Sequence, residues 1–405
     1  MRTIMHVDLD AFFCAVEQRR NPTLAGKAFV VAGRADERGV VATASYAARA
    51  YGIKAGTPTS RAQQLCRDII VVRPRYPDYV VAAAEVMQVL LAETPLVEQA
   101  SIDEAYVDLS ALHESALQVA QRVQTRVAHE LHLSLSCGIA SNKLVAKAAT
   151  DIGKKQARSG NMPRALCAVP TGTEARFLSP LPVDTLCGIG PKTAQRLMAL
   201  GIATLGEIAW TREADIRANF SLRQANELIR WARGIDHTPL VFARPPKSLS
   251  HETTFMRDTS DVMVVESTLL TLAYELARRL QRKQLRCYVV SCRIRWDMRE
   301  AVARQARLPR ATDRGDEIYA RVHDLLCYLW DGKRSIRLVG VGVSQLGDFP
   351  AQLGLWDSPI SDGAEQQAQT VIVAAEQFLG RPLSTHRLAQ SATKRWTPAD
   401  LAPEG

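Results

Sequence analysis

His6-Val7-Asp8-Leu9-Asp10-Ala11-Phe12-Phe13 is an apolar run that ends on acid and restarts on aromatic residues. With Ile4 and Met5 ahead of it, residues 4 to 8 read as a short buried strand that closes on Asp8. A carboxylate at the end of a buried strand is costly unless a cation or a hydrogen-bond donor faces it. A second acidic cluster lies in Leu96 to Leu109, which reads as strand, turn, strand with Ser101, Asp103 and Glu104 at the turn. If the two segments share a sheet, Asp8, Asp103 and Glu104 meet on one edge and require metals or basic partners. Such a set of hard oxygen donors suits Mg²⁺ and two-metal phosphoryl transfer. Spacing alone favours a plainer reading, in which Asp8 and Asp10 start a turn and Asp103 with Glu104 forms a solvated hairpin tip.

Working outward, residues 28 to 32 and 40 to 44 read as strands, 78 to 93 and 115 to 131 as amphipathic helices, 134 to 140 as a strand and Asn142 to Thr150 as a helix. The stretch Gly153 to Pro170 is rich in Gly, Pro and Arg and reads as a boundary, residues 171 to 234 as short helices, and Phe242 to Pro246 as a linker. Residues 247 to 346 read strand, helix, strand, strand, helix, strand, at about 247 to 256, 262 to 283, 286 to 296, 300 to 308, 315 to 331 and 336 to 346. That is the split-βαβ, ferredoxin-like order. The chain of 405 residues carries a formal charge of +9, and residues 244 to 348, with 19 Lys plus Arg against 13 Asp plus Glu, supply +6 of it. A field so concentrated suits a polyanion. In Arg286 to Trp296, Arg293 and Arg295 share one face, and either straddle phosphates or belong to a solvated sheet surface. The eight cysteines form no CxxC pair and read as reduced thiols, and no apolar run is long enough to span a membrane. Nor does the N-terminus read as a signal peptide, because Asp8 interrupts it too soon, so a cytoplasmic location is expected.

The wording around the acids decides between the two readings. The opening octapeptide, Ala42-Thr43-Ala44-Ser45-Tyr46-Ala47-Ala48-Arg49, and Ser101-Ile102-Asp103-Glu104-Ala105-Tyr106 together closely resemble the Y-family DNA polymerases, best the bacterial DinB, or DNA polymerase IV, branch, from residue 1 to about 356. The resemblance implies an α+β right-hand polymerase: palm (1 to 10 and 76 to 165), fingers (11 to 75), thumb (170 to 234) and little finger (244 to 348). It makes Asp8, Asp103 and Glu104 the acids for two Mg²⁺ ions, with Mn²⁺ a substitute, adds the Leu9 carbonyl as a ligand, and makes Glu104 catalytic. Phe13 matches the steric gate against a ribose 2′-hydroxyl, although core packing is open to it and to Phe12 alike. Phe12, Thr43, Tyr46, Arg49 and Lys154 fall where the family holds the triphosphate. Where the family has a Lys-Pro-x-Gly turn, Lys154-Lys155-Gln156-Ala157 stands, which leaves Lys154 and Lys155 both open.

Residues 186 to 201 resemble a helix-hairpin-helix, with Gly188, Gly190 and Lys192 toward a phosphate backbone. Lys247-Ser248-Leu249-Ser250-His251-Glu252 opens the little finger as it does in the family. Gln352-Leu353-Gly354-Leu355-Trp356, within the tail 349 to 405, resembles the peptide that docks into the bacterial sliding clamp, through Gln352, Leu353, Leu355 and Trp356. The expected partners are therefore primer-template DNA, dNTPs and that clamp, for a monomer doing low-fidelity synthesis across damage. A silent DNA-bound scaffold would be favoured by loss of a metal acid, and all three are present. A helix-hairpin-helix nuclease leaves Phe13, Tyr46 and Arg49 unexplained.

Overall fold

The strands, in chain order, are β1 (Ile4–Leu9), β2 (Phe29–Ala32), β3 (Val41–Ala44), β4 (Ile70–Val72), β5 (Val97–Gln99), β6 (Glu104–Asp108), β7 (Leu135–Ala140), β8 (Leu166–Ala168), β9 (Ser248–Thr259), β10 (Arg286–Arg295), β11 (Ala301–Thr312) and β12 (Ile336–Gly347). The computed structural model describes residues 1–157, 163–242 and 245–349. One sheet runs β5-β6-β1-β7-β8, with β1 antiparallel to both neighbours and β8 parallel to β7. β1 is buried almost throughout because both faces of this sheet are covered.

Alternation along β1 sends its residues to two cores. Met5, Val7 and Leu9 join the core built with helices Tyr76–Leu91 and Ala116–Leu131. Ile4, with Tyr106 and Ala140, joins a second core shared by helix Lys143–Gln156 and the short helices that follow it, up to Ala232. A small sheet, β3-β2-β4, closes over its own core of Val30, Val41, Ile53 and Ala62.

The third sheet runs β11-β10-β12-β9, all neighbours antiparallel, backed by helices Val262–Arg282 and Gly315–Leu329. The split-βαβ order expected here is present, with β12 inserted between β9 and β10. The alternation expected for β10 breaks at one point. A bulge between Cys287 and Val289 buries both and turns Tyr288 out, against Phe349 and Arg307.

Two readings need correction. The helix that starts at Lys143 does not stop near Thr150 but runs to Gln156, through Gly153. A Cβ on Gly153 would stand 3.2 Å from the Ala165 Cβ and 3.3 Å from that of Cys167, so this glycine serves close packing on β8 and does not break the helix. The boundary placed at Gly153 to Pro170 thus holds the end of a helix and the edge strand β8. Strand β4 was also unread, because three residues give no usable period.

Candidate active site

Register places Asp8 opposite Glu104 across β1 and β6, and His6 opposite Gly138 on β7. Asp8 and His6 share the face of the sheet that helix Lys143–Gln156 covers. The helix can lie there because residue 138 has no side chain. A Cβ on Gly138 would sit 2.5 Å from the Thr150 nitrogen and closer still to the Ala146 carbonyl oxygen. Lys143, Lys147, Thr150 and Lys154, at helical spacings of four, three and four, therefore all face the strands.

Three ion pairs follow, each at 2.6 Å: Lys143 Nζ to Glu98 Oε2, Lys147 Nζ to Glu104 Oε1, and Lys154 Nζ to Asp8 Oδ1. Lys154 also lies 3.1 Å from Asp10 Oδ1. His6 rests its Nδ1 on Thr150 Oγ1 at 2.9 Å, and the Thr150 hydroxyl donates to the Ala146 carbonyl at 3.1 Å, which makes Nδ1 the donor. His6 Nε2 then faces Glu104 Oε2 at 3.9 Å, too far for a hydrogen bond. His6 and then Lys147 hold the Glu104 carboxyl down at about 2, against the opposing effect of burial. Burial raises Asp8 from its ordinary value, and Lys154 only partly offsets this. For Lys154 burial works the other way, but Asp8 and Asp10 outweigh it and the ammonium pKa is raised.

Asp103 sits on the turn before β6, where its carboxylate accepts from Ser101 Oγ at 2.6 Å and its carbonyl accepts from the Leu9 amide at 3.0 Å. Among the described residues no three acids, His or Cys are drawn together closely enough to hold a metal. Asp8 and Glu104 are engaged by lysines and Asp103 by its own turn. The donor set nonetheless fits hard dications: Asp8, Asp103 and Glu104 offer carboxylate oxygens, and among the described residues the ammonium groups paired with them are Lys154 on Asp8 and Lys147 on Glu104.

After β1 the chain turns sharply. Ala11 takes a left-handed conformation, φ 46°, and helix Phe12–Arg20 begins at once. The two aromatic residues part here. Phe12 is buried in the core at 2% exposure, so a nucleotide could meet only its backbone, whereas Phe13 is half-buried and stacks on Tyr79 at 4.2 Å and 12°. Tyr79 is fixed in turn by its hydroxyl, which donates to Glu17 Oε1 at 2.6 Å, while Arg75 pairs with the other oxygen of Glu17. Tyr46 and Arg49 share the short helix Tyr46–Arg49, capped by Ser45, with the Arg49 guanidinium 4.5 Å above the Tyr46 ring. Burial first, then the charge of Asp10, pushes the Tyr46 hydroxyl pKa up. Thr43 lies next door on β3.

Gly190 starts helix Pro191–Ala199 with open space where a Cβ would be, and Gly188 has φ +102° against the Trp231 ring. Lys192 on that helix and Lys247 before β9 are exposed. Arg293 and Arg295 share the outward face of the third sheet, opposite the buried Cys292 and Ile294. Arg293 donates to Glu252 Oε1 at 3.0 Å. Gln352, Leu353, Leu355 and Trp356 lie outside the described residues.

The sequence reading missed Asp10 and Lys147 as members of the site. Asp10 is fully buried, and its signal was an acid two residues past a strand acid; Lys147 needed the helix face to be known. It had also put Lys154 in a loop, whereas Lys154 stands on the last turn of a helix, aimed at Asp8, and Lys155 is exposed.

Three family models match the chain: the impB/mucB/samB family over residues 7–151, the IMS family HHH motif over 171–202, and the impB/mucB/samB family C-terminal domain over 246–355. The DNA polymerase IV of Dehalococcoides mccartyi is 36% identical over 348 residues, covering 85% of this chain and 87% of that protein. The DNA polymerase IV of Halorhodospira halophila is 36% identical over 348 residues, covering 85% and 95%. A solved Y-family DNA polymerase chimera superimposes with a TM-score of 0.74 at 25% identity, covering 85% of this chain and 98% of its own. With these matches spread over 85% of its length, the chain belongs to the Y family of DNA polymerases, in the DNA polymerase IV branch.

Proposed function

We propose that this polymerase performs template-directed, low-fidelity DNA synthesis from dNTPs in translesion repair, through a palm of residues 1 to 10 and 76 to 165, fingers of 11 to 75, a thumb of 170 to 234 and a little finger of 244 to 348. The observation that carries the reading is the pairing of Asp8 with Glu104 in register, with the Lys154 ammonium on Asp8. Asp8, Asp103, Glu104 and the Leu9 carbonyl would hold two Mg²⁺ ions, or Mn²⁺ in their place. When bound, such cations lower the pKa of the primer 3′-hydroxyl and neutralise the pyrophosphate.

The chain's own residues do the rest. Asp8 and Glu104, paired with Lys154 and Lys147, would turn their oxygens to the cations, and both lysines would keep positive charge beside the phosphates. Lys154, Arg49 and Tyr46 hold the triphosphate, Arg49 with its planar donor fork. Phe13, fixed by its stack on Tyr79, lies under the sugar and excludes a 2′-hydroxyl. Gly188, Gly190 and Lys192 of the thumb, and Lys247, Arg293 and Arg295 of the little finger, grip the DNA backbone without reading sequence. Gln352 to Trp356 engage the sliding clamp, and the enzyme works as a cytoplasmic monomer. Among the described residues no helix is long and apolar enough to cross a membrane.

Primer extension with Mg²⁺ and four dNTPs tests the reading. Wild type extends, and Asp103→Asn falls by at least about 1000-fold. No extension by wild type refutes the proposal.

A further inference from the structure

Asp10 has no exposed surface, yet it is an acid two residues from Asp8. Its carboxylate is fully engaged. Oδ1 accepts from Ser136 Oγ at 2.8 Å and faces Lys154 Nζ at 3.1 Å, while Oδ2 accepts from Ser134 Oγ at 2.7 Å and from the Arg164 amide at 3.1 Å. The backbone is pinned as well, for the Asp10 amide donates to the Ser134 carbonyl at 2.8 Å and Ala11 follows in its left-handed turn. A carboxylate with both oxygens so occupied cannot swing out to a ligand in the cleft. Of its four donors only Lys154 carries charge. A buried acid needs that cation, and the cation is drawn to a fixed point.

Asp8 is the other partner of Lys154, and it differs in one respect: its side chain is 16% exposed where that of Asp10 is 0%. Asp8 can therefore give up the ammonium group while Asp10 keeps it. The ammonium has three N–H groups, so release by Asp8 leaves donors free for another acceptor. Lys155 lies one residue on, about 100° around the helix, is exposed, and has no such anchor among the described residues.

We propose that Asp10 is a positioning residue that holds the Lys154 ammonium beside the triphosphate site when Asp8 is engaged elsewhere, and so fixes Lys154, not Lys155, as the phosphate-binding lysine. The proposal rests on the reading that Lys154 contacts the triphosphate.

The experiment separates the two. The full chain is bound to a primer-template ending in a dideoxynucleotide, with Ca²⁺ present so that no turnover occurs, and dNTP and dNMP affinities are measured by titration. Lys154→Met should weaken dNTP binding by about 30-fold and dNMP binding little. Asp10→Asn should weaken dNTP binding by about 10-fold, with primer-template affinity unchanged, and the double variant should match Lys154→Met alone. In steady-state synthesis Asp10→Asn should raise KM for dNTP more than it lowers kcat.

If Lys154→Met leaves dNTP affinity intact, the triphosphate reading falls and the proposal with it. If Lys154→Met weakens dNTP binding but Asp10→Asn adds to it independently, or weakens dNTP, dNMP and DNA alike, only the positioning role is overturned. Should Asp10→Asn not fold, Ser134→Ala removes one donor and leaves the charge. It should then weaken dNTP binding by about 3-fold in wild type and not at all in Lys154→Met, and no change in wild type counts against the proposal.

Discussion

Over the first sheet, Lys147 meets Glu104 with their side chains 17% and 26% exposed, whereas on the third sheet Arg293 meets Glu252 with 42% and 33% exposed. Both pairs depend on a glycine, in different ways. Gly138 lets a helix backbone come down on a strand, and with it Lys147 and Lys154. Gly340 lies between Glu252 and Arg293 in register, and its missing side chain lets the two arms cross above the sheet. A Cβ at Gly138 would meet backbone, but at Gly340 it would meet the Glu252 Cγ at 2.6 Å, and that side chain can move aside. The first glycine sets the geometry of a rigid site. The second tunes an open one.

The largest effect should come from Gly138→Ala. The helix cannot retreat without breaking its lysine contacts, so the change should cost about 3 kcal/mol or more in denaturant unfolding and displace both active-site lysines. A loss under about 1 kcal/mol would mean that the close approach is not what positions the helix.

Lys147→Met comes next. It strands a partly buried carboxylate, at a cost of about 2 kcal/mol once partial exposure is allowed for. His6 first and Lys147 after it hold the Glu104 pKa at about 2, below its ordinary 4.5, so the stabilisation they give is present above pH 4.5 and lost as pH falls through 2, Lys147 supplying part of it. The stability gap between wild type and Lys147→Met should therefore shrink between those values. A gap that stays constant would show that the pair contributes nothing through Glu104.

The smallest effects belong to the exposed pair. Arg293→Ala should weaken primer-template binding several-fold and reduce the salt slope by about one. Glu252→Gln, which frees Arg293 and removes a negative charge, should strengthen binding by about 3-fold. Weaker binding by Glu252→Gln would make Glu252 a strut for Arg293 in place of a competitor with phosphate.

Much of this contrast was legible before any coordinates. The strand at residues 4 to 8, the hairpin with Asp103 and Glu104, and the six elements of residues 247 to 346 all show in the alternation and helical period of their apolar residues, and the structure places each within a few residues of the stretch that the pattern marks. Local pattern fails where a residue answers to a neighbour far along the chain. Gly153 reads as a breaker until β8 is packed against it, and Asp10 reads as a turn residue until Ser134, Ser136, Lys154 and Arg164 close around it.

The sequence by itself determined which residues carry charge, which segments alternate, and, through the resemblance of three motifs, that Asp8, Asp103 and Glu104 are the candidate acids. Only the tertiary structure turned Lys154 toward Asp8 and left Lys155 exposed, buried the Phe12 ring and left that of Phe13 half-buried, and gave Asp10 its partner. Each choice turns on the face of a helix that meets a sheet, and that rotation is set by packing over Gly138 and around the turn at Ala11, not by the order of residues within the helix.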